Sequence, residues 1–370
     1  MTLSMLRRSL KRSLLRAALP VPLGLLMLGV PAMNDARAQP THAPAVSDAQ
    51  FIGSLARRFA KNYGELQQRG AVLRDAVTAL CAEPAAAERL TAARTAWRQT
   101  AIALRYLEAW PLGPTLEARA LPRMDFWPTR VPQIDAAVAD QGRGTLDLTR
   151  VGVTARGLPA LEYLLFDTGR GTPALASAAH CQYAQRLAGE VAELTAELQA
   201  AWTQWSSSAA LADPEKARAL VGDTLNVVVA ALNGMRARKL ARPATAPGQP
   251  PPAPTWEAWR SGATRDHLLA TLAGVRAVLV GDEAANSSTS APGLLALLRS
   301  RGQAALAQQL ADRLGAAEAA VKALPPDPSR ASARAYSGAL QALAQLQEGL
   351  AGDAATALQV TMGFNDSDGD

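Results

Sequence analysis

One acid stands out among the residues that could do chemistry. Glu162 lies within Arg156-Gly-Leu-Pro-Ala-Leu-Glu-Tyr-Leu-Leu-Phe166, where Leu161, Tyr163, Leu164, Leu165 and Phe166 surround it with apolar neighbours. A carboxyl buried in such a setting needs a partner. Pro159 suits a first helical turn, because its missing N–H is one the helix leaves unpaired anyway, and Gly157 permits unusual backbone angles just before it. Positions 159 and 162 then share one helix face. A buried acid of this kind either handles a ligand, or is a structural acid near a helix start, favoured by the helix dipole and paired with an arginine.

Arginines and tryptophans supply the second set. Arg105, Arg119, Arg123, Arg130 and Arg156 flank the segment that carries Trp97 and Trp127. Guanidinium groups beside indole rings can stack on and grip a carboxylate-bearing ligand. The alternative is a set of solvated helix-surface charges. Arg105 is the ion-pair partner expected for Glu162. Hydrolytic and phosphate-binding signatures are lacking: the chain has no HExxH, no G-x-S-x-G and no Gly-rich phosphate loop. The three histidines, His42, His180 and His267, are too scattered for a His-rich zinc site. His267 follows Asp266 and reads as a surface helix residue. Trp202, Trp205, Trp256 and Trp259 read as core or helix-end packing. The tail Asp366-Ser-Asp-Gly-Asp370 opens like a calcium loop but stops before the remaining ligand positions, so it reads as a loose acidic tail.

Helices must position these residues. Apolar residues recur at helical spacing from Phe51 through Leu80, and Glu83-Pro84 breaks the run. A second helix is expected over 85–109, ended by Pro111, Gly113 and Pro114. The span 115–156 is irregular and rich in proline and aromatics, with short helices expected near 131–140 and 146–151; loops of this length tend to line a site or cover a core. Further helices are expected over 173–205, 214–242, 256–280, 293–299, 302–324 and 329–350. No period-two alternation calls for a sheet. The fold class is therefore all-α, laid out as two packed helical bundles, with halves of about 45–210 and 211–365 and a proline-rich linker at 243–254.

The formal charge of +6 is concentrated at the N-terminus. Residues 1–38 carry a net +5, leaving about +1 for the rest, so the basic balance is no argument for nucleic acid binding. That segment has a basic stretch from Arg7 to Arg16, an uncharged apolar run to Met33, and Ala36-Arg37-Ala38 as a cleavage site. It reads as a signal peptide over residues 1–38, removed near Ala38, which places residues 39–370 in the periplasm without a transmembrane span. The two cysteines, Cys81 and Cys181, would close one long-loop disulfide after export; the alternative is two buried thiols.

Gly157-Leu-Pro-Ala-Leu-Glu162 and the Tyr-Leu-Leu-Phe after it resemble the signature of the imelysin-like family, exported all-helical bacterial proteins also classed as metallopeptidase-like. Ala96-Trp97-Arg98, Leu112-Gly113-Pro114, Phe126-Trp127-Pro128, Trp259-Arg260-Ser261 and the tail from Gly363 extend the likeness, toward a branch described as predicted periplasmic lipoproteins. The chain has no cysteine near the cleavage site for a lipid anchor. The resemblance implies two bundles with approximate two-fold pseudosymmetry and a groove between them that holds the signature. It also implies a part in iron uptake, with iron or another divalent metal as the bound species and an envelope transport partner. The family signature is G-x-H-x-x-E, and Pro159 stands at the His position without a ligand atom. Glu162 is left as the one metal-ligand candidate of the motif. The expected ligand is then a small anion or metal chelate, held by Trp97, Arg105, Trp127, Gly157, Pro159, Glu162 and Arg260. The rival readings are a metallopeptidase, or a docking partner in an envelope complex with an exposed apolar groove.

Overall fold

The computed structural model describes residues 45–167, 175, 177–241, 250, 252–282 and 291–363. The expected signal peptide, most of the proline-rich linker and the acidic tail lie outside the described residues. Among those described there is no β-strand, only one isolated bridge between Gly281 and Pro292.

The helices are α1 (Asp48–Ala82), α2 (Ala87–Leu107), α3 (Pro114–Glu117), α4 (Ala120–Met124), α5 (Val131–Gly142), α6 (Gly157–Phe166), α7 (Ala178–Ser206), α8 (Pro214–Asn233), α9 (Thr264–Leu279), α10 (Leu294–Ser300), α11 (Ala304–Lys322), α12 (Ala333–Glu348) and α13 (Ala355–Leu358). Sequence chemistry explains their ends. Ser47 and Gln50 form a reciprocal capping box on α1. Asp213 caps α8 and Pro214 occupies its first turn.

α1 packs along α7 and α2, and α5 and α6 lie on α7. A second group is built from α8 to α13. α2 against α9 and α1 against α8 join the two groups. Where α9 crosses α2 the backbones nearly touch: a Cβ on Gly274 would lie 2.1 Å from the Tyr106 carbonyl oxygen. A disulfide between Cys81 and Cys181, with Cα atoms 5.4 Å apart, ties the end of α1 to the start of α7. Trp110, Trp202 and Trp205 form an aromatic core with Phe59, and Tyr63 stacks on Trp202 at 4.7 Å.

Two expected helices end differently. The helix expected from Trp256 begins only at Thr264, because Ala258 and Gly262 adopt φ of 53° and 68°, which an α-helix does not allow. The helix expected to reach Arg242 leaves α geometry at Gly234 and continues as a π-helix, Gly234–Ala241. No helix among the described residues is long and apolar enough to cross a membrane.

Candidate functional site

The signature helix α6 starts from a turn that only glycine fits. Gly157 has φ +69°, and a Cβ there would lie 2.2 Å from the Met124 carbonyl oxygen at the end of α4. Arg156, one residue earlier, is anchored by an ion pair to Glu190 of α7. Pro159 occupies the first turn, and all ten residues of α6 are buried.

Glu162 is 5% exposed, and one of its carboxylate oxygens accepts the Ser261 N–H at 2.8 Å. Burial pushes its carboxyl above the ordinary range, opposed by the Ser261 hydrogen bonds and by the charge of Arg260. The irregular segment from Trp256 to Ala263 is thereby fastened to α6. Arg98 fastens it again, donating to the Ser261 carbonyl at 2.7 Å while lying 4.7 Å over the Phe166 ring. Trp97 donates to the Leu158 carbonyl at 2.8 Å and packs edge-on against Phe166. Arg260 pairs with Asp167 at 2.9 Å and lies over the rings of Trp259 and Tyr163.

The expected pair between Glu162 and Arg105 is not formed. Arg105, only 2% exposed, is enclosed instead by Asp125, Glu108 and Glu257, the last at 2.6 Å. Lys239 joins from the π-helix, 3.1 Å from both Glu108 and Glu257. Three carboxylates thus share two cations, and Arg105 has no open side for an anionic ligand. Burial opposes the charge of Arg105, but the surrounding carboxylates outweigh it and hold the guanidinium well above its ordinary range. Burial would also raise Glu257, yet Arg105 and Lys239 pull it well below the usual carboxylate range. Asp125 goes the other way: burial raises it, and repulsion from Glu257 and Glu108 offsets much of the pull of Arg105.

His267 belongs to this cluster and is not the surface residue expected. It is 2% exposed, because it occupies the face of α9 turned to α2, with Trp97 6.0 Å away, while the adjacent Asp266 points outward. Its Nδ1 accepts from the Arg105 Nε at 3.2 Å and lies 3.9 Å from Glu257, too far for a hydrogen bond. Burial lowers its pKa, and because Nδ1 accepts from Arg105 the proton of the neutral ring sits on Nε2, a buried atom with no hydrogen-bond partner among the described residues. Trp127 stands apart. It is half-buried and, among the described residues, shares no ring contact with Trp97, so the two tryptophans do not form facing walls.

Only the edge of the cluster reaches open space. Glu108 and Lys239 border a cavity of 160 Å³ whose other lining includes Leu121, Val227, Met235 and Arg238. The donor set does not fit a catalytic metal. Pro159 offers no ligand atom, one Glu162 oxygen is taken by Ser261, and the Nδ1 of His267 is turned to Arg105. Among the described residues no three His, Cys, Asp or Glu side chains are grouped to hold a metal ion, whereas a catalytic zinc needs three protein ligands and an open position.

Asp125, Glu108, Lys239 and Glu257 were not singled out by sequence reasoning. Ser261 was visible within Trp259-Arg260-Ser261, but nothing local marks it as the partner of an acid in α6.

The family model described as imelysin matches residues 59–357. No curated protein matches the sequence. Among solved structures, an imelysin-like protein from Psychrobacter arcticum superposes with a TM-score of 0.70 at 17% identity, covering 86% of this chain and 97% of its own. A protein from Parabacteroides distasonis, provisionally described as an iron-regulated protein A precursor, gives 0.67 at 18% identity, covering 86% and 96%. At these identities the likeness is one of fold.

Proposed function

Because the chain belongs to the imelysin family, we propose that it is an exported binding component and not a metallopeptidase, serving metal or iron acquisition by holding a small anionic or metal-chelate ligand between its two groups of helices. One observation carries this reading. The acid of the signature is closed off by Ser261 beside a proline, and the nearby carboxylates are already matched by Arg105 and Lys239. Hydrolysis at a metal needs an activated water on an open coordination position. A centre that is buried and charge-matched instead locks α6, α2 and the 256–263 segment into one frame. The iron-regulated description of the Parabacteroides distasonis protein supports the acquisition role.

The test is native mass spectrometry of protein exported to and purified from a bacterial periplasm, run beside peptide hydrolysis assays. A non-covalent small-molecule adduct, with no hydrolysis sensitive to chelators, is the expected result. Peptide cleavage abolished by chelator and restored by zinc would overturn the reading.

A further inference from the structure

We propose that the groove between α1, α2 and α9 is the ligand site, and that its ligand is a small molecule carrying several carboxylates, free or as a metal chelate. The proposal rests on the binding-protein reading above and gives it a place and a chemistry.

The groove follows from helix packing. α9 approaches α2 so closely at Gly274 that no side chain fits between them. On the side toward α1, α9 presents Ala273 and Ala277, whose small side chains leave space. The opposite wall is α1, with Arg57, Arg58 and Lys61 at helical spacing. Between these walls lies a hollow of 670 Å³, which suits a small-molecule site. It continues past Asn62, Tyr106 and Ala273 into a second hollow of 370 Å³ bordered by Ile102.

Charge decides what the groove takes. Among the described residues that line the first hollow, Arg57, Arg58, Lys61 and Arg276 stand against one carboxylate, Asp282, while Glu65 and Arg69 border the second hollow. Arg58 is held in place by the carbonyls of Ala277 and Ala291, at 2.6 and 3.3 Å, and by Asp282 at 3.0 Å. Arg276 is matched by Glu318 from outside the groove. Arg57 and Lys61 form no ion pair among the described residues, unlike the cations buried around Glu257. The Tyr106 phenol, raised by burial against the pull of Arg58 and Asn62, borders the same hollow. Guanidinium forks bind carboxylates and phosphates alike. The length of the groove and the spread of its cations along α1 and α9 favour a multidentate carboxylate over a lone inorganic phosphate.

Isothermal titration of the mature chain with citrate, with ferric citrate and with inorganic phosphate tests this at low ionic strength, where exposed charges are least screened. Citrate in one form is expected to bind; tighter binding of the ferric form assigns the chelate, and equal binding assigns the free acid. Lys61→Glu and Ala273→Glu, both at exposed positions, should each weaken binding about tenfold or more while leaving the unfolding midpoint in place. Glu162→Gln should bind as wild type does. Absence of citrate binding in either form, or wild-type affinity in both charge variants, overturns the site. A different ligand found by native mass spectrometry would then leave the binding-protein reading standing, while chelator-sensitive peptidase activity would remove that reading instead.

Discussion

Replacing Arg105 with leucine removes the cation on which the buried cluster depends. Its guanidinium touches Asp125, Glu108 and Glu257 and donates to His267, all within a region where Arg105 and Asp125 are almost fully enclosed. Lys239 remains in contact with Glu108 and Glu257, so Asp125 is the carboxylate that loses its contacting cation and keeps only the more distant pull of Lys239. Breaking a buried pair from one side costs about 3–5 kcal/mol, and the surviving lysine keeps the expected loss toward the lower end. The loss should depend on pH in a stated direction. In the wild type, Glu257 is depressed, so it contributes stability present above its unfolded pKa and lost as pH falls through its folded pKa. In Arg105→Leu that contribution shrinks and Asp125, already raised, rises further, so the variant's deficit is largest near about pH 8 and narrows toward about pH 5 as carboxyls take up protons. Urea unfolding at both pH values measures it, and adding Asp125→Asn to Arg105→Leu should recover more than about 1 kcal/mol through the coupling of neighbours. A loss under about 1 kcal/mol that does not change with pH would refute the cluster as a stabilising centre.

Glu162→Gln keeps an oxygen for the Ser261 N–H and removes a buried charge. Because the folded carboxyl is raised, its ionisation costs stability as pH rises, so the variant should match or exceed wild type at neutral pH and lose the advantage in acid. Glu162→Leu, by contrast, strands the Ser261 N–H and should cost about 1–3 kcal/mol, read by the same unfolding curves. The disulfide spans a sequence separation of 100, so reduction, or paired Cys81→Ala and Cys181→Ala changes, should lower stability by up to about 4–5 kcal/mol in a melt with and without reductant. Gly157→Ala combines a positive φ with a Cβ driven into the Met124 carbonyl, and should cost at least about 2 kcal/mol or prevent folding, measured by thermal unfolding.

What could be read from the chain alone was local. Gly157 and Pro159 announced the start of α6, and the apolar residues around Glu162 announced its burial, because both effects act within a turn or two of helix. The expectation of export favoured pairing of Cys81 with Cys181, and the helical spacing of α1 was plain. The partners were not legible. Ser261 reaches Glu162, and Glu257 reaches Arg105, only after α9 has docked on α2. His267 looked exposed beside Asp266 because adjacent helix residues face different ways, and which one turns inward depends on the neighbouring helix. The helical pattern from Trp256 misled because Ala258 and Gly262 take left-handed angles that spacing alone does not reveal.

Metal titration of the purified protein, wild type beside Glu162→Gln, bears most directly on the claim that a signature with Pro159 holds no metal. With iron, zinc and copper each added as bare ions and then dialysed, elemental analysis should find no equivalent of metal that depends on Glu162, since Pro159 supplies no ligand and Ser261 takes one oxygen of the carboxylate. One equivalent retained by the wild type and lost in Glu162→Gln would contradict the account.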